Sequence, residues 1–136
     1  MENRFRFRVW HKPTNKMVDC YGFNKDFVFG DVLDGIGTTY NPAKTEDCIL
    51  MQCTGMKDNN GKLIYEGDIV EIWKMAGNIH KKMLVKWRET QSGFRLYDLS
   101  AIEATPQKLC DVRSMGAVTT IRILGNIYEN KEMAGV

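Results

Sequence analysis

Short runs of alternating apolar and polar residues, separated by turn signals at intervals of about 8–12 residues, constrain this 136-residue chain more than any other feature. Residues 4–10 alternate arginine with apolar side chains, and residues 82–88 alternate basic with apolar side chains. A period of two is typical of β-strands, whose successive side chains point to opposite faces. Because hardly any segment shows a helical period, the pattern predicts a small all-β barrel or sandwich.

Turn residues set the expected ends of these strands. The segment 11–16 is expected to turn the chain into a return strand at 17–23, which gives an N-terminal hairpin. The segment 58–61, Asp-Asn-Asn-Gly, predicts a second hairpin with a type I′ turn, since Asn-Gly supplies positive φ angles. The Gly-, Thr- and Asn-rich segment 30–47 predicts a long loop, and the segment 98–104 predicts one short helix.

The composition limits where such a chain works. Lys and Arg total 19 against 17 Asp and Glu, so only local patches favour an anionic partner. No run approaches the roughly 20 apolar residues that span a bilayer, and residues 1–10 contain no secretory signal. The four cysteines, which form no C-x-x-C pair, are Cys20, Cys48, Cys53 and Cys110. We therefore expect a cytoplasmic protein with reduced thiols and no membrane contact.

Motifs that carry enzymatic or metal chemistry are missing from the sequence. His11 and His80 are its two histidines, and since neither lies in a nucleophile motif, both are expected to be surface residues in turns. The segment 58–61 lacks the spacing of a calcium loop, and Gly35–Thr39 lacks the lysine and the helix of a phosphate-binding loop. The scattered cysteines do not predict zinc. We predict no catalytic residue, no metal and no cofactor.

Arginines at the N-terminus form the first of two basic strips. Arg4, Arg6 and Arg8 fall on one face of the predicted strand, where same-face residues lie about 7 Å apart. Three crowded cations need either an anionic ligand or acidic neighbours. The alternative to a binding strip is therefore neutralisation by Glu2 or by Asp19, across the hairpin.

A second basic strip lies in the middle of the chain, close to Trp73. Its members are Lys74, Lys81, Lys82, Lys86 and Arg88. Basic residues beside aromatic ones are typical of grooves for single-stranded nucleic acid, where cations meet phosphates and rings stack on bases. The alternative is a solvated strand face with a core tryptophan, because Glu71 and Glu89 flank the strip and Trp87 alternates with Val85.

Residues 50–70, together with residues 6–10 and 124–130, form a pattern that resembles the YopX family of phage and prophage proteins. Residues 50–70, which include the sequence Asp-Asn-Asn-Gly-Lys-Leu-Ile-Tyr-Glu-Gly-Asp-Ile-Val, are similar to its central signature. Residues 6–10 resemble the opening of the family, and residues 124–130, Leu-Gly-Asn-Ile-Tyr-Glu-Asn, resemble its ending. The chain departs from the family pattern at two positions. Cys53 occupies a position where an aromatic residue is common in the family, and Met56 occupies one where leucine is common.

The resemblance implies a mainly β fold whose C-terminal part is an SH3-like barrel, and a bacterial cell as the place of action. We accordingly expect an N-terminal β subdomain at 1–53, which contains the long loop at 30–47, and an SH3-like β-barrel subdomain at 54–136. Residues 74–118 match the family only loosely. The second basic strip lies in this stretch, so its role is expected to be particular to this chain.

The leading functional hypothesis is a non-enzymatic phage or prophage accessory protein that binds nucleic acid or a host protein. The alternative is a structural protein that self-assembles, because an alternating N-terminal strand pairs readily with the edge of a second copy. An enzyme with His11 or His80 as its base is the least favoured hypothesis, and it requires a deep pocket with a perturbed acid or histidine.

Overall fold

The computed structural model describes residues 5–30, 42–74, 79–99, 107–108 and 119–134. Over these ranges the regular structure consists of antiparallel strands and short 3₁₀ turns, so the predicted all-β class is confirmed. The described helical turns are all too short to span a bilayer. The chain divides into two compact units, Met1–Cys53 and Thr54–Val136.

The first unit is an antiparallel sheet with the strand order β4-β3-β2-β1-β5. Its strands are β1 (Phe7–His11), β2 (Lys16–Phe23), β3 (Phe27–Gly30), β4 (Ala43–Lys44) and β5 (Cys48–Lys57), of which the last continues beyond Cys53. The N-terminal hairpin of β1 and β2 forms as predicted. The unit buries Val9, Trp10, Val28, Met51 and Cys53.

His11 lies in the core of the first unit, so its expected position on the surface is wrong. It ends β1 and is only 3% exposed, and its Nδ1 lies 2.7 Å from the Thr14 hydroxyl. The turn after β1 therefore supplies the polar partner that a buried imidazole needs. Strand alternation alone does not reveal this, because both faces of β1 are covered at its end: Trp10 is also buried.

The segment expected as one long loop is partly structured at its C-terminal end. Ala43 and Lys44 pair with β3, and a 3₁₀ turn follows over Thr45–Asp47. Thr45 fixes this end, since its N–H donates to the Asp26 carbonyl and its hydroxyl donates to the Asn24 carbonyl. The rest of the predicted loop, residues 31–41, lies outside the described residues.

The second unit contains a five-stranded antiparallel sheet with the order β10-β9-β8-β7-β11. Its strands are β6 (Leu63–Tyr65), β7 (Asp68–Lys74), β8 (Ile79–Arg88), β9 (Gly93–Asp98), β10 (Gln107–Lys108) and β11 (Thr119–Asn126), and β6 pairs with the end of β5. Closure into an SH3-like barrel stays a prediction. The helix expected at 98–104 falls mainly outside the described residues, and Asp98 itself ends β9.

Alternation along β7 and β8 builds the core of this unit. Met83 and Val85 point inward from β8 as predicted, and Trp87 follows on the same face but is 40% exposed, in edge contact with Phe94. The buried cluster consists of Ile64, Val70, Ile72, Met83, Val85, Leu96 and Ile121. Since Val70, Ile72, Met83 and Val85 point inward, the alternate residues of β7 and β8 form an outer face, which is covered at Ile69 and open at Glu71 and Trp73, where it positions the candidate site.

The Asp-Asn-Asn-Gly turn differs in type from the prediction. The Gly61 N–H donates to the Asp58 carbonyl, and within the turn Gly61 alone has a positive φ, of 80°. This is a type I turn followed by a left-handed glycine rather than a type I′ turn. The reason is the Asp58 side chain, whose Oδ1 accepts hydrogen bonds from the N–H groups of Asn60 and Lys62, both at 2.9 Å.

This turn also binds the last strand. Asp58 Oδ2 accepts from the Ile123 N–H at 3.1 Å, and Asn59 exchanges backbone and side-chain hydrogen bonds with Ile121. Burial alone would raise the pKa of Asp58, but hydrogen bonds from the N–H groups of Ile123, Lys62 and Asn60, together with the Lys62 charge, lower it below its ordinary value. The turn thereby fixes Asn59 and Asn60 beside β11.

Two further parts of the signature are structural as well. Asp68 is 2% exposed and accepts from the Tyr65 N–H at 2.8 Å, which closes the reversal between β6 and β7. Asn126 is buried, and its Oδ1 accepts from the N–H groups of Tyr128 and Glu129. These residues satisfy backbone groups at turns, so the signature predicted architecture rather than a reaction.

Candidate functional site

Two members of the N-terminal arginine strip, Arg6 and Arg8, lie among the described residues. Arg4 lies outside the described residues, Arg6 is exposed just before β1, and Arg8 is half-buried within it. Arg8 lies directly opposite Asp19 in the register of the hairpin, on the face that also carries the buried Trp10. Both the anion-binding role of the strip and its neutralisation by an acidic neighbour stay predictions.

The second basic strip divides between the two faces of its sheet. Lys81 lies on the face of Met83, and its Nζ forms an ion pair with the Asp98 carboxylate at 3.5 Å. Lys74, at the end of β7, lies on the same side as Lys81 in the register. The exposed Lys82 and Lys86, and the half-buried Arg88, lie together on the outer face of β8.

Lys82 and Lys86 have different surroundings on this outer face. Lys82 lies opposite Glu71, whose Oε1 already accepts a hydrogen bond from Arg122 Nη2 at 3.1 Å. Lys86 places its Nζ 5.8 Å from the centre of the Tyr97 ring, within the range of a cation–π contact. The cations of this face therefore lie among aromatic and acidic groups rather than alone.

An open pocket of about 210 Å³ lies at the β7–β11 end of the same face. Its lining residues are Asn59, Asn60, Glu71, Trp73, His80, Thr120 and Arg122. Trp73 and His80 are opposite each other in the register, with ring centres 5.6 Å apart and planes tilted by 47°. His80 is exposed, as predicted, although it lies within a strand rather than a turn.

Sequence reasoning identified Trp73 but missed Arg122, Thr120 and the role of the turn in this pocket. Arg122 lies between two inward isoleucines of β11, so alternation would have placed it on an outer face. Which strand β11 joins could not be read, because its partner β7 lies about 50 residues earlier. The pocket depends on that long-range pairing.

The polar groups of the pocket are partly engaged with one another. Arg122 fixes the Glu71 carboxylate, and among the described residues no hydrogen bond joins His80 to Glu71 or to Thr120. The described part of the chain also contains no group of three His, Cys, Asp or Glu residues placed to hold a metal ion. The aromatic pair, the carboxylate and the guanidinium offer stacking and hydrogen bonding to a planar polar ligand.

The first unit exposes a different kind of surface, made of aromatic side chains. Phe5, Tyr21, Phe23 and Phe27 are 57%, 72%, 48% and 42% exposed. Phe23 also contacts the ring of Phe7 edge to face, with centres 5.3 Å apart. In the register Phe23 shares a face with Val28 and Phe27 lies on the other face, so these side chains are exposed singly, and Phe23 lies beside Phe7 as a candidate for contact with a partner.

Comparison with known proteins agrees with this architecture. A family model described as YopX protein matches residues 6–133. The crystal structure of protein EF1440 from Enterococcus faecalis is similar over 95% of this chain and 96% of that one, with a TM-score of 0.62 and 20% identity. The X-ray structure of protein yopX from Bacillus subtilis is similar over 95% and 97%, with a TM-score of 0.57 and 18% identity. No curated protein matches.

Proposed function

We propose that this chain, which belongs to the YopX family as its signature predicted, is a binding module for single-stranded nucleic acid. The observation that carries the proposal is the outer face of the second unit's sheet. There the exposed Lys82 and Lys86 lie on the same face as the Trp73–His80 pair and Arg122.

Single strands are bound by the combination that this face offers. Lysine and arginine interact with the phosphates, and aromatic rings stack on bases, a contact worth about 1–3 kcal/mol per base. Same-face residues along a strand lie about 7 Å apart, so Lys82 and Lys86 span about 14 Å of β8 and follow an extended backbone. The net charge of +2 is small, which makes a local surface rather than bulk attraction the basis of binding.

The proposal places the protein in the cytoplasm of a bacterial cell as a phage or prophage accessory protein that works without a cofactor or turnover. The position of Glu71 favours binding over the enzymatic hypothesis. In a triad-type arrangement an acid orients the histidine at hydrogen-bond distance, and the Glu71 carboxylate instead holds Arg122. If the experiment below shows no binding of nucleic acid, a host protein becomes the expected partner.

Salt-dependent binding of labelled single-stranded DNA and RNA tests the proposal. Each lost phosphate contact lowers the slope of log K against log salt by about 1, so the double variant Lys82→Ala/Lys86→Ala is expected to lower it by about 2. The matched control is Lys25→Ala/Lys44→Ala, two exposed lysines of the first unit, which should leave the slope unchanged. No binding at low salt, or equal effects of both variants, would refute the proposal.

A second candidate function, self-assembly, rests on the exposed aromatic side chains of the first unit and not on an open edge of β1, which pairs with both β2 and β5. Burial of Tyr21 and Phe23 against a second copy would remove large apolar areas from water. Sedimentation velocity at increasing concentration is expected to show a dimer that the variant Tyr21→Ser/Phe23→Ser abolishes. A strict monomer at the highest concentration would exclude this candidate.

A further inference from the structure

We infer that the pocket beside β11 is a subsite for one guanine base. The inference rests on the proposed function, which makes this pocket one part of a longer surface for nucleic acid. Its ring-stacking groups are Trp73 and His80, and its polar groups for the base edge are Glu71 and Arg122. Each of these side chains is placed by strand pairing among β7, β8 and β11.

The aromatic side of the pocket suits a flat ligand. Trp73 is half-buried, which fixes its indole, and the exposed His80 ring is tilted by 47° against it. A base that enters the open pocket lies against these rings and gains stacking energy regardless of its identity. The volume, about 210 Å³, is below the roughly 300–1,000 Å³ of pockets for drug-sized ligands, which fits a single ring system.

Glu71 supplies the selection among bases. An ionised carboxylate only accepts hydrogen bonds, and its two oxygens match two adjacent donors. On the Watson–Crick edge of guanine, N1–H and the N2 amino group are such a pair. Adenine and cytosine each place an acceptor beside their amino group, and uracil presents one donor between two acceptors. The acceptor-only Glu71 therefore favours guanine over the other bases.

Arg122 fixes the orientation of the Glu71 carboxylate, on which this selection depends. Its Nη2 holds Glu71 Oε1 at 3.1 Å, and each carboxylate oxygen has a second lone pair that remains available to a base. The Arg122 side chain is 57% exposed and the Glu71 side chain 29%, so both are accessible from the open side of the pocket. The amide of Asn60 lies in the same lining and offers a donor to guanine O6.

Titration with the four nucleoside monophosphates, followed by NMR of the tryptophan indole N–H resonances, tests the inference. GMP is expected to shift the Trp73 resonance, assigned with Trp73→Phe, and to bind about tenfold tighter than AMP, since a bidentate pair discriminates against the wrong base. The variant Glu71→Gln pairs a donor with an acceptor, as adenine requires, and should reverse the preference. Glu89→Gln, an exposed glutamate after β8, is the control and should not.

The outcomes separate the subsite from the longer surface. Equal affinities for GMP and AMP in the unaltered chain, or no shift of Trp73 with either, would overturn the guanine subsite even if oligonucleotides bind. GMP-selective binding together with no oligonucleotide binding at low salt would refute the proposed function and leave the guanine subsite standing. The preference of the unaltered chain decides the matter even if Glu71→Gln fails to fold.

Discussion

The two units use polar and aromatic side chains in opposite ways. The second unit buries polar groups at its turns, among them Asp58, Asp68 and Asn126, whereas the described part of the first unit buries one, His11. On the surface the first unit exposes aromatic rings such as Tyr21, and the second exposes cations beside aromatic rings. Buried polar groups that accept from the backbone define turns, and exposed cations beside aromatic rings offer a binding surface.

This difference separates architecture from function. The signature residues of the second unit hold backbone N–H groups and are therefore already engaged within the fold. The residues proposed to bind a ligand lie between those turns, on the outer face of β7, β8 and β11. Among the signature residues, Asn60 is the exception, since it lies in the pocket lining and its amide is proposed to donate to the base.

The strongest test of the architectural role is removal of the Asp58 carboxylate. Asp58→Ala leaves the N–H groups of Asn60, Lys62 and Ile123 without their acceptor, at about 1 kcal/mol or more each, so we expect a loss of roughly 3 kcal/mol in the free energy of unfolding. Urea unfolding at pH 7 measures it. Asp26→Ala, an exposed aspartate of the first unit, should change stability by less than about 0.5 kcal/mol.

If Asp58→Ala and Asp26→Ala lowered the free energy of unfolding equally, the buried Asp58 would be no more important for stability than an exposed aspartate. The proposed difference between the two units would then be wrong.

The fold could be predicted from the sequence where it depends on local pattern. Alternation placed β1 and β8 and identified Met83 and Val85 as inward residues. It did not show that β11 lies beside β7, because pairing over about 50 residues depends on tertiary packing and not on the period of a single strand. It also missed the burial of His11, since the polar partner Thr14 comes from the following turn.

The candidate site, like the fold, could be predicted only where its residues lie close together in the sequence. Lys82, Lys86 and Trp73 were accessible to sequence reasoning because they lie in one strand pair close in sequence. Arg122 was not, since it joins the site only through β11. The assignment of all five basic residues to one strip was too broad, because a period of two separates Lys81 from Lys82.

A smaller effect is expected from the backbone of the same turn. Gly61 has a φ of 80° and nothing within 4 Å of an added Cβ, so the loss in Gly61→Ala comes from the left-handed conformation alone, at about 1–2 kcal/mol. Gly22 of the first unit also has nothing within 4 Å and has no positive φ. Gly22→Ala is therefore the matched control and should leave the melting temperature nearly unchanged. If Gly61→Ala and Gly22→Ala lowered stability equally, the left-handed conformation of Gly61 would not be the cause of its loss.

The smallest expected effect is on the pH dependence of stability. The pKa of Asp58 is lower in the folded chain than its ordinary value, so the folded state binds fewer protons and gains stability above the unfolded pKa, near 4. This contribution is expected to disappear as the pH falls through the folded pKa. Asp58→Asn should flatten the loss of stability between pH 4 and more acidic conditions, as measured by urea unfolding, whereas Asp26→Asn should leave it. If Asp58→Asn lost stability in acid as steeply as the unaltered chain, carboxyl groups other than that of Asp58 would cause the acid sensitivity.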